Sequence, residues 1–433
     1  MALDFSRISQ TLQSADLVRV EGRVQSIVGL AIRCVIPGAR IGDLVEIFRK
    51  RQTPLLAEII GFNDNLATLL PFGTTVGIGI DDRVRSIGHP LRITFGDNLL
   101  GRVLDGLGQP LDEGPAIVGD LWDVMRLPPN PLLRPRIQKP LSLGVRSLDA
   151  FVTIGEGQRI GIFSGSGVGK SVLLGQIARQ ADADVVIVCL VGERGRELLD
   201  FLQDSLGQEG INRSVVVCAT SDSPPLVRYK CPFVATAIAE GFRDRGKRVV
   251  LLVDSITRFA RSAREVGLAV GEMPARRGYP PSVFAVLPYL LERSGTSETG
   301  SITAFYSVLV ESDDLDEPIA DEVRGVLDGH IVLSRSLANR GRFPAVDVLS
   351  SLSRLMNRVV DADHYRTARN VRHHLAVYEA KRDLVLLGAY KPGSDPALDA
   401  SLKRIDRIEE FLNQDSQTLI DMPSTLKSLH NLL

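Results

Sequence analysis

Ile160-Gly-Ile-Phe-Ser-Gly-Ser-Gly-Val-Gly-Lys-Ser-Val-Leu-Leu174 decides how the rest of this 433-residue chain is read. An apolar run (Ile160, Ile162, Phe163) reads as a strand. Small residues from Ser164 to Gly169 form a loop, and Val172, Leu173, Leu174 and Ile177 repeat with a helical period. Strand, glycine-rich loop and helix in that order make a P-loop. Its glycines let backbone N–H groups approach phosphate oxygens with no Cβ in the way. The helix N-terminus adds partial positive charge. The phosphate cradle is read as Gly165, Ser166, Gly167, Val168, Gly169, Lys170, Ser171 and Val172. Lys170 reaches β- and γ-phosphates, and the Ser171 hydroxyl can ligate Mg²⁺. Ser164 stands where the motif has its first glycine. A small residue with negative φ is compatible with that place.

Outward from the loop, the chain alternates strand and helix from about 141 to 345, as a parallel α/β sheet requires. The strands are expected at Ile160–Phe163, Val185–Val191, Ser214–Ala219, Val249–Val253, Val283–Leu287, Thr303–Val310 and His330–Leu333. Upstream, short strands with turn punctuation and no helices between them suggest a small β-barrel. They are expected at Leu17–Val24, Gln25–Ile36, Asp43–Phe48, Leu55–Gly61 and Ala67–Pro71. Few aromatics lie on these strands, which favours an oligomer-forming collar over a ligand-binding barrel. Residues 1–16 carry weak helical periodicity, either a lead-in or a docking segment. The prolines from Pro128 to Pro140 form a stiff, extended linker that marks a boundary. After Ser350 the pattern is helical, with Leu384, Leu386 and Leu387, then Leu402, Ile405, Ile408, Phe411 and Leu412, at spacings of three and four. The expected organisation is a segment 1–16, a β-barrel 17–90, an α/β P-loop domain 91–349 and a helical domain 350–433.

Composition describes an ordinary globular protein, 44% hydrophobic and 24% charged. Lysine plus arginine (51) and aspartate plus glutamate (52) nearly cancel, so no global basic field draws nucleic acid. No stretch reaches the roughly 20 apolar residues of a membrane span. The N-terminal residues lack a signal-peptide core, and the expectation is a cytoplasmic chain. Cys34, Cys189, Cys218 and Cys231 have no C-x-x-C spacing and are expected as buried free thiols. His373 and His374 are adjacent, a poor spacing for a metal pair.

Four more places carry candidate chemistry. Val249-Val-Leu-Leu-Val-Asp254 ends a buried strand in a carboxylate, where a P-loop fold holds the Mg²⁺ shell; Asp254 could also cap the next helix. Val185–Glu193 delivers a second carboxylate to the edge where parallel sheets bind ligands. Glu193 is placed to orient and deprotonate water, and Arg194 beside it to touch a γ-phosphate. Read from position alone, a surface ion pair of Glu193 with Arg196, worth little, is the lesser alternative. Phe343 lies in a Gly/Pro-flanked stretch and either stacks on a base or packs in the core. Arg354, after Ser350-Ser-Leu-Ser353, is one arginine among many and a candidate arginine finger. The broken loop 267–281, with Arg276 and Arg277, is long enough to be functional.

Taken together, these residues resemble the rotary-ATPase superfamily, and more closely the type III export ATPases of flagella and injectisomes. The resemblance is carried by 165–171, 191–197 (Val-Gly-Glu-Arg-Gly-Arg-Glu), 278–284, 317–324, 327–335, 344–354 (Pro-Ala-Val-Asp-Val-Leu-Ser-Ser-Leu-Ser-Arg) and 387–396. It implies a RecA-like ATPase that binds ATP and Mg²⁺ and energises protein export as a homohexameric ring. It implies Lys170 and Ser171 on phosphate and metal, Asp254 in the metal shell and Glu193 as catalytic base. It also implies Arg194 near the phosphate, Phe343 on adenine and Arg354 given to the neighbouring subunit. The implied partners are a central stalk, a stator or regulator, an export-gate membrane protein and chaperone–substrate complexes, at the inner membrane. Glu193 and Arg354 on one chain let identical subunits be both catalyst and activator. That argues against the alternative of a proton-coupled synthase subunit. Balanced charge argues against an RNA-translocating hexamer, and a regulatory ring would need Glu193 to be silent.

Overall fold

The computed structural model describes residues 21–310 and 316–433; the segment 1–16 lies outside them, as do residues 17–20 of the first expected strand. The chain divides into two compact units. One comprises the described residues up to Leu91 with Leu268–Glu272, and the other Arg92–Gly267 with Met273–Leu433. The proline-rich 128–140 segment runs within the second unit.

The first unit is a closed six-stranded barrel: β1 (Glu21–Val28), β2 (Ala31–Val35), β3 (Leu44–Phe48), β4 (Leu55–Asn63), β5 (Leu66–Pro71) and β6 (Arg83–Ser86), in the order β1-β2-β5-β4-β3-β6. Alternate residues point inward, and Val24, Ile32, Cys34, Val45, Ile47, Ala57, Ile59, Leu69 and Val84 form its core. Two expectations are corrected. Gln25–Ile36 is not one strand: β1 runs through Gln25 to Val28, and a two-residue turn at Gly29 and Leu30 starts β2. Gly29 takes φ 61, a value glycine adopts without strain. The sixth strand, Arg-Val-Arg-Ser, escaped reading because it contributes a single fully apolar residue, Val84, to the barrel core.

The second unit is built on a nine-stranded sheet. Its path is β14 (Leu352–Ser353), β13 (Gly329–Leu333), β8 (Arg159–Ser164), β12 (Ser301–Leu309), β11 (Arg248–Asp254), β9 (Val185–Glu193), β10 (Ser214–Thr220) and β7 (Val103–Asp105), with Gly295–Thr296 paired to β12. Neighbours from β13 to β7 are parallel, and β14 is antiparallel to β13. The central strands are buried on both faces, hence their continuous Val/Ile/Leu runs. Val283–Leu287 is a third correction. It lies in a helix, Pro281–Leu291, with Pro281 in its first turn. A short apolar run fits both periods, and the proline pair Pro280-Pro281 sets a helix start.

The C-terminal chain is helical, chiefly α1 (Ala362–Leu386), α2 (Ile405–Leu412) and α3 (Met422–His430). Val371, Leu375, Ile405, Ile408, Phe411 and Leu429 join Ile160, Leu173 and Ile331 in one core. Leu384, Leu386 and Leu387 are exposed instead. All four cysteines are buried and free.

Candidate active site

The loop after β8 rises at the C-terminal edge of the sheet and feeds the helix Lys170–Gln180. Gly167 and Gly169 take φ 78 and 89, so their glycine identity is a backbone requirement. Ser166 and Gly167 are exposed at the tip, and Val168 is buried beneath it. Ser164 is fully buried and outside the left-handed region, and its Oγ has no hydrogen-bond partner among the described residues. Arg335, just past β13, donates to the Ser166 carbonyl (3.3 Å) and steadies the tip.

Lys170 Nζ lies 2.5 Å from Asp254 Oδ1, which also accepts from Ser307 Oγ at 2.6 Å. Asp254 is 4% exposed, so its carboxylate is held ready by a cation and a hydroxyl. Ser171 is exposed at the first turn of the helix. One hydroxyl and one carboxylate suit a hard divalent cation that keeps water and phosphate oxygens as its other ligands. The residues present therefore fit Mg²⁺ with a nucleotide.

Glu193 closes β9 on the same edge. Arg258 donates to Glu193 Oε2 at 3.2 Å and also to the Gly192 carbonyl. Burial, then a hydrogen bond with Glu197, then the Asp254 charge lift the Glu193 carboxyl to about 7, against the pull of Lys170 and Arg258. Glu197 is lowered chiefly by that same hydrogen bond, so the pair holds a proton on the more buried Glu193. A carboxylate that titrates near neutrality is a competent general base. Arg194 is 75% exposed and pairs with Glu197 (3.1 Å), and no hydrogen bond or ion pair ties it to Glu193.

Phe343 is 46% exposed, with its ring edge 3.6 Å from where a Cβ on Gly169 would lie. It borders a cavity of about 460 Å³ lined by Gly169, Val172, Leu173, Gln176 and Asn413–Ser416. The chain after α2 forms one wall. Phe343 N–H donates to Asn413 Oδ1 (3.1 Å), and Gln414 N–H donates to the Phe343 carbonyl (2.7 Å). Gln414 is also locked by Arg146 N–H (2.8 Å) and the Gly144 carbonyl (2.8 Å). A flat ring beside a slot of mixed apolar and polar lining, next to the phosphate loop, suits a purine.

Arg354 is not brought to this constellation. Ser353 pairs with Gly329, the first residue of β13, which puts Arg354 at the opposite, N-terminal edge of the sheet. Five strand spacings separate β14 from β9, about 24 Å sideways. Arg354 is exposed; its N–H donates to the Asp328 carbonyl (3.0 Å) and its Nη2 to the Arg324 carbonyl (3.4 Å). Sequence reading missed Arg258, Ser307, Arg335 and the Asn413–Ser416 wall. Arg258, four residues past Asp254 on the next helix, was within reach of spacing arguments; the others carry no local signal.

A P-loop, a strand-end aspartate and a second strand-end glutamate on a parallel sheet define a nucleoside triphosphate hydrolase. Residues 144–353 match the ATP synthase alpha/beta family nucleotide-binding domain, and 360–431 match the T3SS EscN ATPase C-terminal domain. The chain is 48% identical to a type 3 secretion system ATPase of Xanthomonas euvesicatoria, over 98% of this chain and 96% of that protein. It is 49% identical to a flagellum-specific ATP synthase of Treponema pallidum, over 97% and 95%. It superposes on the assembled ATPase EscN of enteropathogenic E. coli with a TM-score of 0.89, at 44% identity over 95% of this chain and 99% of that one; the same figures hold for EscN in complex with its central stalk EscO. The chain belongs to the family of type III secretion and flagellar ATPases, and it is an ATP-hydrolysing enzyme. The C-terminal match favours this branch over the synthase and RNA-translocase alternatives. Among the described residues no helix is long and apolar enough to cross a membrane.

Proposed function

We propose that this ATPase works as a homohexameric ring in which each nucleotide site is completed by Arg354 of the adjacent subunit, and that it energises protein export. The observation that carries the ring is the separation of Glu193 and Arg354 to opposite edges of one sheet. No side-chain rotation closes that gap, whereas a head-to-tail neighbour presents its N-terminal edge to the next subunit's C-terminal edge.

In this reading the P-loop amides and Lys170 hold the β- and γ-phosphates, Lys170 leaving Asp254 to do so. Ser171 and Asp254 would hold Mg²⁺, which would supply positive charge against the phosphate oxygens. Glu193 takes a proton from the attacking water. Arg194, exposed and paired with Glu197, turns from that carboxylate to the γ-phosphate. Phe343 stacks on adenine over the Asn413–Ser416 wall. The export role and a central-stalk partner are supported by the names and assemblies of the relatives. A stator, an export gate, chaperone-bound substrates and inner-membrane attachment extend the same reading. Relatives of both systems stand at near-equal identity.

Mixing two inactive variants tests the ring. Glu193→Gln keeps Arg354, and Arg354→Ala keeps Glu193, so a mixed ring contains some intact sites. ATP turnover that reappears on mixing supports the proposal. Mixtures as silent as either parent, under conditions where the native chain assembles, would refute it.

The Glu193 carboxyl at about 7 gives a pH prediction. The base must be ionised, so kcat/KM rises with pH and levels off above about 7. For stability the sign is opposite. A carboxyl raised in the folded state holds its proton more tightly than in the unfolded chain. The stability this confers is complete below the unfolded carboxylate range and lost as pH rises through about 7. Glu193→Gln is expected to raise the melting temperature at about pH 8 and to leave it unchanged at about pH 4. An equal effect at both would show that Glu193 is not the shifted group.

A further inference from the structure

A cavity of about 620 Å³ opens on the edge of the sheet opposite the P-loop, where Gly157 precedes β8 and Asp328 precedes β13. Leu355, next to Arg354, lines it, as do Arg134, Arg136, Arg159 and Arg358. Two of these arginines are satisfied from within. Arg159 pairs with Asp328 (3.1 Å) and Glu292 (2.6 Å). Arg134 lies 3.8 Å from Glu292 and donates to the Ser294 carbonyl at 2.8 Å. Arg136 and Arg358 are exposed, and among the described residues their guanidinium groups have no hydrogen-bond or ionic partner. The cavity therefore offers two uncompensated cations on its outer wall.

A surface of opposite charge lies beyond Glu193. From Glu197 to Asn212 the chain carries Glu197, Asp200, Asp204 and Glu209 and no lysine or arginine. Asp200 and Asp204 are exposed and also without a partner among the described residues. The helix Gly195–Asp200 continues as a π-helix over Phe201–Leu206. Four residues are close to one turn there, so both carboxylates share a face. Single π-turns are recurrent at functional positions. Leu199, 57% exposed, sits next to them.

These surfaces belong to opposite sides of one unit, and the trans-arginine reading above brings the two sides together. Arg358 follows Arg354 by four residues, in the short helix Met356–Val359, and Asp200 follows Glu193 by seven, at the end of the helix Gly195–Asp200. A docking that carries Arg354 to the next copy's Glu193 brings the arginine-lined cavity towards that copy's Asp200 and Asp204. We infer that the Arg136/Arg358 cavity receives the Asp200/Asp204 face of the adjacent copy of this chain. The inference rests on the trans-arginine reading. Each copy contributes a cation pair to one neighbour and a carboxylate pair to the other. The contact is heterologous and charge-complementary, so it sets the ionic strength and protein concentration at which the ring forms.

Charge exchange tests this. Assembly is followed by sedimentation velocity with a non-hydrolysable ATP analogue, for the native chain, Arg136→Asp/Arg358→Asp, Asp200→Arg/Asp204→Arg and the quadruple variant. Each double variant is expected to raise the concentration for half-assembly by about tenfold or more. The quadruple variant re-matches every interface and should return to within about threefold of the native value. The native midpoint should climb with salt. Unchanged midpoints in both double variants, or a quadruple variant no better than either double, would overturn the inference. The Glu193→Gln and Arg354→Ala mixture separates the two ideas. If mixing restores turnover and charge exchange does nothing, the cavity contact alone is wrong. If mixing fails although the native chain assembles, the trans-arginine reading falls and takes this inference with it.

Discussion

Arg354→Ala is expected to lower the turnover of assembled protein by about 10³–10⁵-fold, the range for arginines that neutralise charge in phosphoryl transfer. ATP affinity of the dilute subunit should stay within about threefold, because a group that acts only in the transition state leaves ground-state binding intact. The expectation is specific because of where Arg354 stands. It is exposed at the N-terminal edge of β13, held by the Asp328 and Arg324 carbonyls, and touches nothing of its own subunit's phosphate loop. A purely structural arginine there would change melting temperature and leave turnover alone. Lysine keeps the charge and loses the planar fork, so Arg354→Lys should recover only a small part of the rate. Steady-state ATPase assays above the assembly concentration, beside nucleotide titrations below it, decide the matter. Turnover within about threefold of native in the alanine variant would remove Arg354 from the mechanism.

Glu240→Ala is expected to cost the P-loop unit about 3–5 kcal/mol, the largest stability effect of any single change described for this protein. Arg293 is fully buried, and its guanidinium meets Glu240 through two hydrogen bonds of 2.9 and 2.8 Å. Its third nitrogen donates to the Val124 carbonyl at 2.8 Å, and its own carbonyl accepts from Arg243. Removing the carboxylate leaves a buried cation with one backbone partner and no counter-charge. Replacing both residues by methionine should be milder than Glu240→Ala, since no charge is then stranded. Denaturant unfolding at fixed pH measures both. A loss below about 1 kcal/mol for Glu240→Ala would mean that water reaches Arg293 in solution.

The amino-acid sequence by itself was enough to pick out the residues that gather at the P-loop end of the candidate site. The glycines of 165–169, the Lys170-Ser171 pair and the two strand-end carboxylates are local features, each set by backbone need or by the strand that carries it. The barrel was legible as a class, from short strands set apart by turn residues, although the break at Gly29 and Leu30 was not. The sequence was silent where side chains alone do not set the outcome. Val283–Leu287 is apolar enough for strand or helix, and Arg83–Ser86 adds only Val84 to the barrel core. Only the tertiary structure decided that Asn413–Ser416, some 70 residues beyond Phe343, forms a wall of the cavity beside it. Only the sheet order decided that Glu193 and Arg354 face opposite edges. Both are long-range facts of strand order and packing, produced when distant apolar faces bury one another, and no local pattern encodes them.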